Sequence, residues 1–335
     1  MSPADLLGAV ILAALILYAL LGGADFGGGV WDLLASGPRK AAQRALVEHA
    51  IGPIWEANHV WLILVIVVLF TAFPPAFATV SITLFVPLVL LLLGIVLRGA
   101  AFTFRTYERP GDRVQAWWGL VFSGSSVLAP VVLGTVVGAL ASGRLRGGAD
   151  GTAPWAWLAP FPLSVGAFAL ALFAFLAATY LAVEAEGDLR EDFRGRALGA
   201  GVAVFLCAVV SGVLSWREAP LVFDGLVHRL WSVPFHVATG AAAGAALALL
   251  WLRRVRAARG AAVAQVALIV VGWGASQYPY LVVPDLTLTS ASAPRVTQVA
   301  LLWALAAGAL LLFPSLYVLF RVFKGERPFS VVDRG

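Results

Sequence analysis

The chain has 335 residues, of which 61% are hydrophobic and only 12% are charged, whereas soluble domains carry about 25% charged residues. Apolar runs long enough to cross a bilayer recur from one end of the sequence to the other. This composition predicts an all-α integral membrane protein, with residues 1–335 forming one transmembrane domain, and excludes a soluble enzyme. The net charge of +5 requires no nucleic-acid partner, because arginines at the ends of spans anchor a membrane protein beside acidic membrane lipids.

The apolar runs predict nine transmembrane helices. The first run lacks the basic flank of a signal peptide, so we expect it to remain as a helix. Most of the 23 lysine and arginine residues fall on one side of the arrangement, and the positive-inside rule then predicts an outer N-terminus and a cytoplasmic C-terminus. Pro74 and Pro75 are expected to form the turn after the second helix. The predicted ranges are 4–23, 54–73, 76–100, 116–141, 159–183, 197–216, 230–252, 261–280 and 295–320.

The stretch GGADFGGG, residues 22–29, surrounds Asp25 with glycines. It lacks the spacing of a nucleotide-binding loop. We interpret it as a helix end, at which glycines allow close approach of backbones and left-handed conformations. A short surface helix is expected between this stretch and the second span. Two roles stay open for Asp25, a helix cap and a proton relay.

The stretch GPIWEANHVWLILVIVVLF, residues 52–70, places Glu56 and His59 on one helical face at the mouth of an apolar span. Three interpretations are open: polar residues that cap the helix start, a proton relay, and metal ligands. The metal interpretation is weakened because carboxylate-bridged di-iron bundles need a second Glu-x-x-His pair. With Cys207 as the only cysteine, neither a disulfide nor a thiolate cluster can form within the chain.

Two further segments carry candidate contact residues. In RGAAFTFR, Arg98 and Arg105 share one helical face and are either positive anchors or contacts to a partner subunit's carboxylate or a lipid headgroup. In WGASQYPYLVVP, Gln277 and Tyr278 fit either an aromatic belt at the membrane surface or a quinone pocket or interface. Small residues at four-residue spacing, such as Gly134 and Gly138, predict close packing of helices.

The stretches GGADFGGGVWDLL, WEANHVWL, RGAAFTFR, WGASQYPYLVVP and PSLYVLFRVFK occur in this order and together resemble subunit II of cytochrome bd-type quinol oxidases. The resemblance implies two four-helix bundles plus one further helix, in a heterodimer with subunit I in the prokaryotic inner (plasma) membrane. It also implies a complex that oxidises quinol and reduces O₂ to water. Haem b, with haem d or further haem b, is then expected in subunit I, and no catalytic or metal-binding residue is expected in this chain.

The resemblance further implies a cytoplasmic proton path. Glu56 takes the position of the acid in the family's W-[DE]-x-N-x-V-W motif, Asp25 takes that of the acid in the glycine-rich stretch, and His59 stands where some members have glutamine. A structural quinone and a small accessory subunit are compatible with the family, although no motif here assigns either. Two other classes of membrane protein are also compatible with the predicted number of spans. They are a multi-helix secondary transporter and a purely structural assembly subunit.

Overall fold

The computed structural model describes residues 1–51, 55–107, 113–145 and 155–324. Within these ranges the chain is almost entirely helical, with one 3₁₀ turn at Ala156–Leu158 and a short antiparallel pair of strands, β1 (Tyr280–Val282) and β2 (Leu286–Thr287). The helices are α1 (Pro3–Leu33), α2 (Lys40–Ile51), α3 (Trp55–Asn58), α4 (Val60–Ala72), α5 (Pro74–Thr83), α6 (Phe85–Tyr107), α7 (Arg113–Ala141), α8 (Pro160–Glu184), α9 (Gly187–Glu218), α10 (Pro220–Val227), α11 (Ser232–Trp251), α12 (Val255–Gln277) and α13 (Arg295–Lys324).

Eight of the described helices are long and apolar enough to cross a membrane, namely α1, α6, α7, α8, α9, α11, α12 and α13. A ninth crossing is obtained if α4 and α5 count as one span, although they are bent by 119° relative to each other. The bend falls where it was predicted, because proline disfavours a helical conformation in the residue before it and Phe73 precedes Pro74 with φ −135° and ψ 59°. The all-α membrane class is therefore confirmed.

Several helix boundaries differ from the predicted ones. Helix α1 continues about ten residues past its predicted end at residue 23, and α9 begins about ten residues before residue 197. The predicted helix 76–100 is divided at Leu84 into α5 and α6, and the predicted helix 54–73 is interrupted at His59 between α3 and α4. Hydropathy identifies only the residues that are apolar enough to lie in the hydrocarbon core of a membrane. A helix can extend beyond that core as long as its backbone hydrogen bonds and packing support it.

Helix α1 is the central element, since it packs against α2, α4, α7, α8, α12 and α13. Its contact with α8 is very close: a Cβ added at Gly27 would lie 2.0 Å from the carbonyl oxygen of Phe173. Gly134 and Gly138 of α7 also lie close to the backbone of α8, since an added Cβ would be 2.6 Å and 2.7 Å from its backbone atoms, as the small-residue spacing predicted. At the other glycine pairs with this spacing, an added Cβ would have no heavy atom of the described chain within 4 Å; these are Gly195, Gly199, Gly240 and Gly244.

One end of the molecule, which we call the basic end, is formed by α2 and the adjoining ends of α1, α6 and α9. The predicted surface helix is α2. Arg39, just before it, donates hydrogen bonds to Asp192 of α9, the one from Nε being 2.8 Å long, and this bond raises the pKa of the Arg39 guanidinium. Arg196 Nη2 donates to Gln43 Oε1 at 2.7 Å. These contacts join α2 to α9 at the end that the charge distribution assigns to the cytoplasm.

Candidate functional site

The central polar contact of the molecule lies inside α1, where Asp25 is 6% exposed. The buried side-chain amide of Asn58 donates a hydrogen bond from Nδ2 to Asp25 Oδ2 and lies 3.5 Å from the carbonyl oxygen of Leu21. Helix α3 ends at Asn58 and α4 begins two residues later, so the break between these helices directs the amide toward α1. The stretches GGADFGGG and WEANHVW therefore meet at one buried point.

The glycine-rich stretch around Asp25 is helical throughout, and the prediction of a helix end with left-handed glycines was wrong. The described glycines with positive φ lie elsewhere in the chain. The predicted close approach is present instead: Gly23 and Gly27 face Phe173 of α8, and Gly29 faces Ser126 of α7. Because Asp25 is in the interior of α1, it does not cap an end of its own helix. Its role as a cap of another helix or as a proton relay stays a prediction.

Arg98 of α6 belongs to the same buried cluster. It is 2% exposed, it interacts electrostatically with Asp25, and its Nε donates to Ser126 Oγ at 3.1 Å. Its Cζ lies 5.0 Å from the centroid of the Phe26 ring, within the range of a cation–π contact. Buried charges are retained when they are paired, so Asp25 and Arg98 compensate each other inside the bundle.

Two buried polar atoms of this cluster have no hydrogen-bond partner among the described residues, the hydroxyl of Tyr18 and Nη2 of Arg98. His59 lies in the break between α3 and α4, with its ring centroid 6.0 Å from those of Tyr18 and Phe26. The structure thus brings His59 next to the Asp25 cluster. The backbone of Glu56 belongs to α3, but its side chain lies outside the described residues.

A second buried acid, Asp32, follows Asp25 by seven residues on α1 and was not identified from the sequence. It is 1% exposed. Its Oδ1 accepts a hydrogen bond from Arg105 Nη1 at 3.0 Å, and its Oδ2 accepts one from Ser123 Oγ at 2.8 Å. Arg44 Nε lies 3.9 Å from Oδ1. A signal was present, because the two acids on α1 and the two arginines on α6 have the same seven-residue spacing, which keeps each pair on one helical face.

Arg98 and Arg105 both interact with acids within the chain. Arg98 is 2% exposed and interacts electrostatically with Asp25. The Arg105 side chain is 14% exposed, and its Nη1 lies 3.0 Å from Asp32 Oδ1. The assignment of the two arginines as positive anchors or as contacts to a partner subunit or lipid stays a prediction.

Gln277 and Tyr278 lie at the opposite end of the molecule from Asp25. Their side chains have different surroundings, although the two residues are adjacent in sequence. Gln277 is buried and donates from Nε2 to the carbonyl oxygen of Leu281 at 3.3 Å. Tyr278 is exposed, and its hydroxyl donates to Asp5 Oδ1 at 3.4 Å. Their assignment to a quinone pocket or an interface stays a prediction.

The described side chains do not fit a haem site. Haem iron takes axial ligands such as histidine and methionine. Of the four histidines, His49 is exposed in the last turn of α2 and His59 is enclosed by aromatic rings. His228 bonds to Asp224 one turn earlier, and His236 bonds to the carbonyl oxygen of Ser232. Met1 is fully at the surface. These donors are spread over both ends of the molecule rather than gathered around one cofactor.

Comparison with known proteins decides the family. A family model described as "Cytochrome bd terminal oxidase subunit II" matches residues 4–323. The chain belongs to this family. It is 26% identical in sequence to the bd oxidase of Geobacillus thermodenitrificans, whose solved structure superimposes with a TM-score of 0.80 over 96% of this chain and 99% of that chain.

Curated relatives agree with this assignment. The chain is 23% identical to a provisionally named cytochrome bd menaquinol oxidase subunit II of Bacillus subtilis (strain 168), over 95% of this chain and 94% of the relative. It is 30% identical to the cytochrome bd-I ubiquinol oxidase subunit 2 of Escherichia coli (strain K12), over 59% of this chain and 53% of that protein.

Membership of the cytochrome bd oxidase subunit II family fixes the general function. The chain is one subunit of a quinol oxidase complex, an oxidoreductase that oxidises quinol and reduces O₂ and that works with haems and with subunit I. The apolar helices and the family place it in the prokaryotic plasma membrane as a multi-pass protein. Neither the family model nor these relatives support the secondary-transporter alternative.

Proposed function

We propose that this subunit conducts protons from the basic end toward the oxygen-reducing haem of subunit I, through Glu56 and Asp25 with His59 beside them, and that it supports assembly of the heterodimer. The observation that carries the proposal is the contact between Asn58 and Asp25. It joins the two acid-bearing stretches of the sequence at one buried point.

The surroundings of Asp25 suit proton transfer. An acid inside an apolar bundle is expensive to keep, and acids at such positions commonly belong to proton relays. Arg98 offsets the charge of the carboxylate, while the Tyr18 hydroxyl and Arg98 Nη2 offer hydrogen-bonding positions to water beside it. Aromatic rings of Tyr18 and Phe26 connect this cluster to His59 at the α3–α4 break. With the basic end inward, as the charge distribution predicts, the path starts on the cytoplasmic side.

The haems are assigned to subunit I in this proposal. The donors of the described residues do not fit a haem, and the complex nonetheless uses haems. Whether subunit I holds haem b with haem d or haem b throughout is a property of that chain. The relatives named above are a menaquinol and a ubiquinol oxidase, so either quinol is a candidate substrate for the complex.

The test is Asp25→Asn in the complex of both subunits, purified through a tag on this chain. Asparagine has nearly the same size as aspartate, but its side-chain amide cannot take up and release a proton as a carboxylate does. We expect unchanged haem bands in the reduced-minus-oxidised spectrum, with slower proton uptake and smaller charge separation during O₂ reduction. Asp188→Asn is the matched control, because that side chain lies at the same end and is 82% exposed.

The same measurements on Glu56→Ala test the first residue of the path. If O₂ reduction and charge separation were unchanged in a haem-loaded Glu56→Ala complex, Glu56 would have no part in proton transfer. Normal proton uptake in both variants, combined with loss of haem whenever this subunit is omitted, would leave only the assembly role.

A further inference from the structure

Two polar layers lie between α1, α6 and α7. The Asp25 layer consists of Asp25, Arg98 and Ser126, and the Asp32 layer consists of Asp32, Arg105 and Ser123. Each layer takes an acid from α1, an arginine from α6 and a serine from α7. At a rise of about 1.5 Å per residue, the seven-residue spacing puts the two acids on α1, and likewise the two arginines on α6, about 10 Å apart. The two serines are three residues apart on α7. The Asp32 layer is the one nearer the basic end.

Two aromatic rings, those of Phe102 and Phe122, lie between the two layers. The buried ring of Phe122 has the Arg98 Cζ 5.3 Å from its centroid and the Arg105 Cζ 5.9 Å from it. The ring of Phe102, which lies between the two arginines on α6, has its centroid 5.8 Å from that of Phe122. A proton moving along α1 from one layer to the other would have to pass this apolar contact.

The Asp32 layer has the properties of a seal. Both carboxylate oxygens of Asp32 accept hydrogen bonds, and Arg44 adds a second cation beside Arg105. The adjoining cavity, lined by Asp32, Glu48 and Arg105 among others, has a volume of only about 10 Å³. A single water needs about 10–15 Å³, so this space cannot hold a chain of waters.

The Asp25 layer differs in its hydrogen bonding. Its Arg98 Nη2 has no hydrogen-bond partner among the described residues. The hydroxyl of Tyr18 beside it is likewise without a partner within that part of the chain. The break between α3 and α4 meets this layer at Asn58, which donates to Asp25.

We propose that the Asp32 layer is a dry seal at the basic end of α1, and that protons reach Asp25 from the α3–α4 break rather than along α1 past Asp32. Asp32 and Arg105 then balance each other's charge between α1 and α6 and take no part in proton transfer. The inference rests on the proposed role of Asp25 in proton transfer.

The first experiment compares two variants of the haem-loaded complex. One carries Asp32→Asn and Arg105→Gln together in the same chain, and the other carries Asp25→Asn alone. The double change removes both charges, so no buried charge loses its main partner. Proton uptake is followed with a pH dye after a pulse of O₂. Because the acids of the two layers are about 10 Å apart, we expect the double variant to stay within about twofold of the wild type. Asp25→Asn should slow uptake about 100-fold, the lower range for loss of a positioned proton-transfer group.

The outcomes separate the two proposals. If the double variant slows proton uptake as much as Asp25→Asn, the path runs through Asp32 and the seal is refuted. If Asp25→Asn leaves uptake unchanged, the proposed function of Asp25 fails. Asp32→Asn alone leaves Arg105 without its carboxylate and should lower the yield of haem-loaded complex, and adding Arg105→Gln should restore it. Failure of that rescue would refute the charge-balancing role of the pair.

A second experiment tests the seal without relying on catalysis. In a Cys207→Ser background, Ser123→Cys places a thiol in the Asp32 layer and Ala57→Cys places one at the α3–α4 break. We expect a small water-soluble thiol reagent to modify position 57 in the intact complex and to leave position 123 unmodified. Modification at 123 as fast as at 57 would show that water enters the Asp32 layer, and no modification at 57 would remove the proposed entrance. Either result would overturn the inference.

Discussion

Replacing Gly27 by alanine should force α1 away from α8. The added Cβ would lie 2.0 Å from the carbonyl oxygen of Phe173, 2.5 Å from its carbonyl carbon and 2.7 Å from the Cβ of Ala177, whereas ordinary contacts begin near 3.4 Å. The helices would have to separate by about 1.4 Å at this point, because the obstructing atoms are backbone atoms and cannot rotate away. Overpacking of a tight core costs about 1–3 kcal/mol and occasionally more.

The assay is the temperature at which the complex of both subunits loses its haem absorbance. We expect the Gly27→Ala complex to lose it at a lower temperature, and to show slower proton uptake because Gly27 lies two residues from Asp25. Gly195→Ala is the matched control: its Cβ would meet no heavy atom of the described chain within 4 Å, and alanine in a helix interior is favoured over glycine by about 0.5–1 kcal/mol. A Gly27→Ala complex as heat-resistant as the control would show that α1 and α8 are not in close contact.

Three further substitutions test the same region. Trp31 Nε1 donates to the carbonyl oxygen of Ala174 in α8 at 2.8 Å, so Trp31→Phe should destabilise the complex by about 0.5–1.5 kcal/mol through loss of this hydrogen bond. The control Trp303→Phe, at a side chain 73% exposed, should leave the haem-loss temperature unchanged. Asn58→Leu removes the amide that holds Asp25 and should slow proton uptake at constant haem content; an unaltered rate would exclude the break as the entrance. Arg98→Lys keeps the positive charge but loses the planar contact of the guanidinium with its neighbours. The rate of proton uptake should therefore lie between those of the wild type and Asp25→Asn. A wild-type rate would show that the positive charge alone is sufficient for proton uptake.

Hydropathy was sufficient to predict the all-α membrane class, because hydrocarbon thickness alone sets how long an apolar run must be. The nine predicted spans compare with eight among the described helices, or nine if the bent pair α4 and α5 counts as one span. Hydropathy failed at the glycine-rich stretch of α1. Glycine costs about 1 kcal/mol in a helix interior, which favoured a helix end there. The structure shows that Gly23, Gly27 and Gly29 are helical and pack against α7 and α8, so the gain from packing exceeds the intrinsic preference.

The candidate site was predictable only in part. Asp25 and His59 stand out in the sequence because ionisable groups are rare in spans. Asp32 has the same chemistry, but it follows a tryptophan near the expected membrane surface and resembles an ordinary interfacial acid. Its partners Arg105 and Ser123 lie 73 and 91 residues away in the sequence. Their contact depends on the register between α1, α6 and α7, which hydropathy and spacing do not determine.

The paired layers also bear on how a proton can leave this subunit. Arg98 interacts electrostatically with Asp25 and Arg105 forms an ion pair with Asp32, so each arginine already has an acid within this chain. No residue in the most apolar stretch of the described α13 is fully buried inside this chain, which suits contact with lipid or with an apolar partner helix. On the proposed proton path, transfer to subunit I proceeds through groups that change protonation or orientation for a moment, rather than through a fixed ion pair across the interface. Asp25, with the Tyr18 hydroxyl and Arg98 Nη2 beside it, meets this requirement. Asp32 does not, since Arg105 and Ser123 each donate to one of its carboxylate oxygens and Arg44 lies 3.9 Å from it.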